Sequence, residues 1–361
     1  MAVPVVDLAA VTGPAARDLP LAELDSEAVR EVAEALGRAC RHVGFFYVRN
    51  HGVSEALLSE LQAMSRDFFA QPLADKMRLD MRQGGRAWRG YFPVGDELTS
   101  GKPDIKEGLY FGAELSETHP AVVAGRPIHG RNQFADERMR RVVLEYLEAM
   151  LALGQRIMAL LALSLGLEAD FFQRSYTREP TPLFRIFNYP RPESFNYDGD
   201  REALWGVGEH TDYGLLTILL QDECGGLQVK TRTGWQAAPP LPGTFVCNIG
   251  DMLERITGGY FCSTPHRVRN AAGRDRLSFP FFFDPSWEAE IRPLPNVRLL
   301  AEEAARTQES DEPDARAQRW DQANVVQDEI GAYGDYLTRK VSKCFPDLFA
   351  SVQSRPVATT P

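Results

Sequence analysis

The chain has 361 residues, 44% of them hydrophobic and 25% charged, a balance that allows a sizeable buried core. Lys and Arg number 40 against 50 Asp and Glu, for a formal net charge of −10 and a pI near 5.3. So acidic a chain gains nothing from counterion release on a phosphate backbone, and nucleic acid is not expected as a partner.

The opening MAVPVVDLAAVTGP has no basic stretch before a long apolar one, so it is a poor signal peptide. No apolar run of bilayer length is evident, and no membrane association is expected. Val29, Val32, Leu36, Cys40 and Val43 recur at helical spacing behind the candidate caps Asp25 and Ser26. GFFYVRNHGV (Gly44 to Val53) reads as a short strand ending in a turn. Leu57, Leu61, Met64 and Phe68 mark a second amphipathic helix, stopped near Pro72. Met139, Val142, Tyr146, Met150, Leu153, Ile157 and Leu160 set a long helix from Ala135 to Leu165, roughly 45 Å at 1.5 Å per residue.

From Leu183 the pattern changes to short β-rich runs: LFRIFNY, LLTILLQ, LQVKT, TFVCNI, HRVRN and RLSFPFFF. Gly, Pro, Asn and Asp separate them, as in a sandwich or barrel rather than alternating βαβ units. Residues 304–328 are polar and mixed in charge, and are expected to form a surface loop. A last helical pattern covers Ala332 to Val341. The expected organisation is one α+β domain over residues 1–361. Residues 1–170 are mainly helical, 171–300 form the β core, and 301–361 hold the polar loop and C-terminal helix.

The chemistry concentrates in EHTDYGLLTIL (Glu209 to Leu219). If the apolar run and the residues before it form one strand, His210 and Asp212 point to the same face. His266 follows in STPHRVRN. Two histidines and a carboxylate fit the facial triad of non-haem Fe(II), which leaves coordination positions open. A structural zinc site would add a fourth ligand. Arg276 and Ser278 in RLS would share a strand face, where a guanidinium beside a hydroxyl receives a carboxylate.

Other residues of these types carry weaker readings. His42, His51, His119 and His129 lie in the helical half or its loops, away from the triad in sequence. Gly206-Val207-Gly208 lacks the third glycine and the following helix of a dinucleotide loop. Asp251 reads as a turn residue after Gly250. The five cysteines, Cys40, Cys224, Cys247, Cys262 and Cys344, never form a CxxC pair, and point to free thiols in a reducing, cytoplasmic setting.

In sequence order these motifs resemble the 2-oxoglutarate/Fe(II)-dependent dioxygenases of the isopenicillin N synthase-like superfamily. GFFYVRNHGV, FFAQPLADKMRL, NYPRP, HTD, NIGDMLERITGGYFCSTPHRV and RLS carry the resemblance over nearly the whole chain. RGYFPVGDELTSGKPDIKEGLYFG and YGDYLTRKVSKCFPDLF look like a microbial branch, distantly similar to the ethylene-forming enzyme. The resemblance implies a double-stranded β-helix (jelly-roll) core flanked by helices. It implies Fe(II) on His210, Asp212 and His266, the cosubstrate 2-oxoglutarate on Arg276 and Ser278 with Tyr189 touching it, and O2 as oxidant. Asn188 departs from the pattern, because the family's asparagine stands where this chain has Phe187.

The implied reaction is oxidation, by default hydroxylation, of an unactivated C–H bond of a small molecule such as an amino acid or secondary metabolite. Succinate and CO2 are released, and the enzyme is expected to be a monomer. By analogy Arg89, Tyr91, Tyr110, Phe111, Phe184, Arg185, Phe282 and the C-terminal helix line the substrate cavity. Arg185 stands out because a cation facing the barrel interior needs a partner. Alternatives are an iron oxidase or cyclase that does not use 2-oxoglutarate, an ethylene-forming-type enzyme, and a non-catalytic small-molecule binding protein.

Overall fold

Helix and strand follow the expected periodicities, but the strands begin much earlier in the chain than the composition suggests. The computed structural model describes residues 2–24, 26–99, 102–191, 205–270, 272–306 and 331–344. The expected cap Asp25, Pro192 of NYPRP, the polar loop at 304–328 from residue 307 onward, and the FPDLF end lie outside the described residues.

The first segment runs β1 (Val5–Asp7), α1 (Ala9–Thr12), α2 (Glu27–His42), β2 (Phe45–Arg49), α3 (Glu55–Phe69) and α4 (Leu73–Lys76). Ser26 caps α2 by accepting from the Val29 amide, satisfying one of the orphan donors of the first turn. Next come β3 (Gly90–Phe92), the small hairpin β4 (Leu98–Thr99) and β5 (Lys102–Pro103), and β6 (Glu107–Gly112). Helices α5 (Pro120–Val123), α6 (Glu137–Ser164) and α7 (Phe171–Ser175) follow. The remainder is β7 (Pro180–Tyr189), β8 (Val207–His210), β9 (Leu216–Gln221), β10 (Leu227–Thr231), β11 (Gly234–Ala237), β12 (Thr244–Ile249), α8 (Asp251–Ile256), β13 (His266–Val268), β14 (Arg276–Ser286), α9 (Val297–Arg306) and α10 (Tyr333–Cys344).

Two sheets form the core, one of eight strands in the order β1-β2-β12-β9-β14-β7-β6-β3 and one of four in the order β11-β10-β13-β8. Among the described residues, the strand-to-strand pairings of these two sheets are antiparallel except β1 with β2. Strands β1, β2, β3 and β6, half of the larger sheet, come from the segment expected to be mainly helical. Their shortness and the absence of clean alternation hid them: β2 and β6 are apolar or buried on both faces.

Strand parity decides what each face of the larger sheet does. Leu277, Phe279, Phe281 and Phe283 of β14 are all at most 3% exposed and turn one way. Each such buried side chain stabilises the fold by roughly 1.5–3 kcal/mol, so this face is structural. Helix α6 lies close to it, where Gly154 leaves the space that Phe283 fills; a Cβ at that position would collide with the ring. By length and composition α6 is apolar enough to cross a membrane, contrary to the sequence expectation, yet 56% of its most apolar stretch is buried inside the fold. The alternate residues of β14 and β7 face the space between the sheets.

Candidate metal centre and cosubstrate pocket

His210 and Asp212 converge, but not by the predicted route. Strand β8 ends at His210 in the smaller sheet, and β9 begins only at Leu216 in the larger one. Asp212 therefore sits in the turn that passes from one sheet to the other, and strand periodicity does not relate it to His210. His266, the first residue of β13, lies directly opposite His210 in the β13–β8 pairing. The ring centroids of the two histidines are 4.2 Å apart. Asp212 Oδ1 is 3.9 Å from His210 Nε2 and 3.7 Å from His266 Nε2. One ligand atom from each of the three lies within 4.8 Å of the others, a group that could hold one metal ion.

The surroundings settle which atoms face that position. His210 Nδ1 lies 2.8 Å from the Gly208 carbonyl oxygen and His266 Nδ1 3.2 Å from that of Thr264. A carbonyl only accepts, so each Nδ1 carries the proton and each Nε2 presents a lone pair. Asp212 Oδ2 accepts from Thr217 Oγ1 at 2.5 Å and Asn248 Nδ2 at 2.6 Å, leaving Oδ1 for a metal. Burial raises the Asp212 pKa, but His266, His210 and those two hydrogen bonds outweigh it, and the net shift is downward. Burial first, then the neighbouring His266, pushes His210 well below its usual range. Both shifts favour the deprotonated ligands a divalent cation needs.

A row of paired residues crosses the larger sheet beside this centre: Phe45 opposite Asn248, Asn248 opposite Thr217, Thr217 opposite Phe282, and Phe282 opposite Leu183. All five line one cavity together with the three metal-ligand candidates. Ser278 and Tyr189 line the same cavity. Arg276 is paired with Tyr189 across β14 and β7, and its guanidinium stands 4.7 Å from the Tyr189 ring centroid. Arg276 is fully buried, donating from Nε to the Gly225 carbonyl and from Nη2 to Gln221 Oε1 at 3.2 Å. Its Nη1 has no hydrogen-bond partner among the described residues. A buried cationic donor left open beside a hydroxyl suits the carboxylate of a bound cosubstrate.

The expected substrate residues divide into two groups. Arg185 and Phe282 line the cavity, as do Leu337 and Cys344 of α10. Arg89, Tyr91, Tyr110, Phe111 and Phe184 do not. Phe184 and Phe111, 6.0 Å apart between ring centroids, occupy the structural face, because each is one residue out of step with the cavity side of its strand. Tyr91 donates to Glu107 Oε2 at 2.5 Å, and that carboxylate also takes Lys76. Arg89 donates to the Ile128 carbonyl and lines a separate cleft with His129 and Trp287. Tyr110 stands behind the cavity wall, its ring under the Arg185 guanidinium and its hydroxyl donating to Glu97. Asn188 turns from the cavity and donates to Glu107.

The remaining four histidines lie outside the triad: His42 ends α2, His51 packs on Phe245, His119 caps α5, and His129 stands edge-on to Trp287. Asp251 opens α8 and accepts from Ser263 Oγ. Sequence reasoning missed Thr217, Asn248, Glu97, Lys106, Phe187 and Asp284, all of which line the cavity.

The chain's residues 3–137 match the model of the non-haem dioxygenase N-terminal region, described from morphine synthesis, and residues 182–285 match that of the 2OG-Fe(II) oxygenase superfamily. A probable iron/ascorbate oxidoreductase of Dictyostelium discoideum is 44% identical, the match covering 88% of this chain and 90% of the relative. A 1-aminocyclopropane-1-carboxylate oxidase of Dictyostelium mucoroides is 38% identical over 88% of this chain and 91% of its own. Among solved structures, a 2OG-Fe(II) oxygenase family protein from Caulobacter crescentus superposes with a TM-score of 0.69 at 27% identity, covering 95% of this chain and 99% of that one. The chain belongs to the 2OG-Fe(II) oxygenase superfamily. It is a 2-oxoglutarate-dependent non-haem iron dioxygenase with a jelly-roll core, and its cofactors are Fe(II), 2-oxoglutarate and O2.

Proposed function

We propose that this dioxygenase hydroxylates an unactivated C–H bond of a small polar molecule while converting 2-oxoglutarate to succinate and CO2. One oxygen atom of O2 enters the new hydroxyl and the other the succinate carboxylate. His210, Asp212 and His266 hold Fe(II) in this reading, and Arg276, Ser278 and Tyr189 hold the cosubstrate. The observation that carries it is the unpaired Nη1 of the buried Arg276, on the same sheet face as the metal-facing Asn248–Thr217 row. Bound iron supplies O2 activation and the oxidising equivalents.

The chain's own residues position and exclude. The Gly208 and Thr264 carbonyls hold both imidazoles in the tautomer that offers Nε2. Thr217 and Asn248 keep Asp212 Oδ1 turned to the metal. Phe45, Leu183 and Phe282 keep the cavity apolar around the reacting carbon, which limits water. The test is succinate release from the purified protein with Fe(II), 2-oxoglutarate and candidate substrates. Iron-independent succinate release, or normal turnover in Asp212→Ala, overturns the reading.

A further inference from the structure

At the end of the cavity lined by α10, a half-buried cation and a buried acid are each left one partner short. Arg185 lies on β7 in step with Leu183, Phe187 and Tyr189, on the cavity side. Its guanidinium is held between two aromatic faces, 4.2 Å from the Tyr110 centroid and 4.9 Å from that of Phe282. Nη1 donates to Glu97 Oε1 at 3.3 Å, while Nε is buried without a partner among the described residues. Glu97 is already committed: it pairs with Lys106 at 2.8 Å and accepts from the Tyr110 hydroxyl. One carboxylate divided among three donors does not satisfy a guanidinium with five N–H groups.

The second group is Asp284, on β14 in step with Ser278 and Phe282 and 2% exposed. Its Oδ2 accepts from the Tyr333 hydroxyl of α10 at 2.6 Å. Its Oδ1 is buried and, among the described residues, has no partner. That oxygen occupies the room left by Gly214, where an added Cβ would collide with it. Asp284 therefore stands beside the turn that carries Asp212. A buried polar atom without a partner costs folding stability, and native structures keep such atoms where a ligand completes them.

Resting on the reading above, we propose that the substrate is a zwitterion, an amino acid whose carboxylate is received by Arg185 and whose protonated amino group is received by Asp284. The charges already present support a ligand of no net charge. Lys106 and Arg185 are balanced by Glu97 and Asp104, with Asp104 2.6 Å from Lys106. Burial first, with Asp212 adding and Tyr333 and Arg185 opposing, raises the Asp284 carboxyl to about 7, and a neighbouring ammonium favours its ionised form. A dicarboxylic acid would set a second carboxylate against Asp284, and a simple amine would leave Arg185 Nε without an acceptor.

The test uses the full chain with Fe(II) and 2-oxoglutarate, and offers free L-amino acids beside their N-acetyl and carboxamide derivatives. Binding is read by calorimetry without oxygen, so it does not depend on turnover, and succinate release is read separately with oxygen. At least one free amino acid is expected to bind, with blocking of either end weakening it tenfold or more. Arg185→Met is expected to weaken the free acid at least tenfold and leave its carboxamide unchanged; Asp284→Asn gives the mirror result with the N-acetyl derivative. Absence of binding by every free amino acid, or equal binding of an end-blocked form, overturns the proposal even if both variants misfold. Binding of an amino acid without iron-dependent succinate release instead overturns the proposed hydroxylation and leaves the zwitterion site standing.

Discussion

The metal end of the cavity and the end beneath α10 are built on the same strands, yet they treat polar atoms in opposite ways. Around the triad each ligand side chain has its non-coordinating atom tied to the protein: the two Nδ1 atoms to carbonyls, Asp212 Oδ2 to Thr217 and Asn248. Beneath α10, Arg185 Nε and Asp284 Oδ1 are buried with no partner among the described residues. The first arrangement fixes geometry in advance, so little reorganisation is needed when the metal binds. The second holds binding capacity in reserve for whatever enters. Pre-organisation for an ion and incompleteness toward a ligand are thus two settings of the same rule, that buried polar groups must be satisfied.

The hardest way to break this contrast is to remove a ligand from the satisfied end. Asp212→Ala takes away the only carboxylate of the triad and leaves Thr217 and Asn248 pointing at nothing. Iron-dependent succinate formation is expected to fall below detection, while circular dichroism stays that of the parent chain. Retention of more than about a tenth of the activity removes Asp212 from the metal.

Next in size is Arg276→Ala. Truncating one partner of a buried, hydrogen-bonded charge pair costs roughly 2–5 kcal/mol of binding, about 30-fold to a few thousand-fold in Kd. The loss should appear in 2-oxoglutarate titrations and leave Fe(II) affinity unchanged. A drop in iron affinity with normal cosubstrate binding places Arg276 in the wrong role. Smaller again is Asn248→Leu, which deletes one of the two donors to Asp212 Oδ2. Changes of this kind typically cost roughly 10–100-fold in metal affinity or activity. A Co(II) titration indistinguishable from the parent chain shows that Thr217 alone suffices to orient Asp212.

Much of the site was legible because ligands and carboxylate receptor are written in short motifs. His210, Asp212, His266 and Ser278 line one cavity, while Arg276 stands outside its lining, over the ring of Tyr189. The geometric reason for the first pair was mistaken: a turn between sheets, not period-two alternation, brings Asp212 to His210. Alternation does hold along β14 and β7. Ser278 and Tyr189 define the cavity parity of β14 and β7. That parity selects Phe282 and Asp284, and Arg185 and Phe187, and it excludes Phe184. Thr217, Asn248 and Phe45 were beyond such reasoning, because their proximity arises from register between strands far apart in sequence. The early strands β2 and β6 were obscured for a related reason, since a strand buried on both faces shows no alternation to read.

The smallest effect tests the unsatisfied end by itself, with no ligand present. Burial raises the Asp284 carboxyl to about 7, opposed by the Tyr333 hydroxyl and helped by Asp212, against a usual value of 3.8. Between those values the folded chain keeps a proton that the unfolded chain has lost. Stability from this group is therefore fully present below about 4 and declines as pH rises through 7. Asp284→Asn cannot ionise, yet its amide oxygen can still accept from Tyr333. The melting temperature of the parent chain should then fall relative to Asp284→Asn between about pH 4 and pH 7 and level off above, by roughly 2 °C for each kcal/mol lost in a chain of this size. Asp284 is one acid among many, so the informative quantity is the difference between the two pH profiles. Parallel profiles mean that the carboxyl titrates at its ordinary value in both states, and that the end of the cavity beneath α10 is satisfied after all.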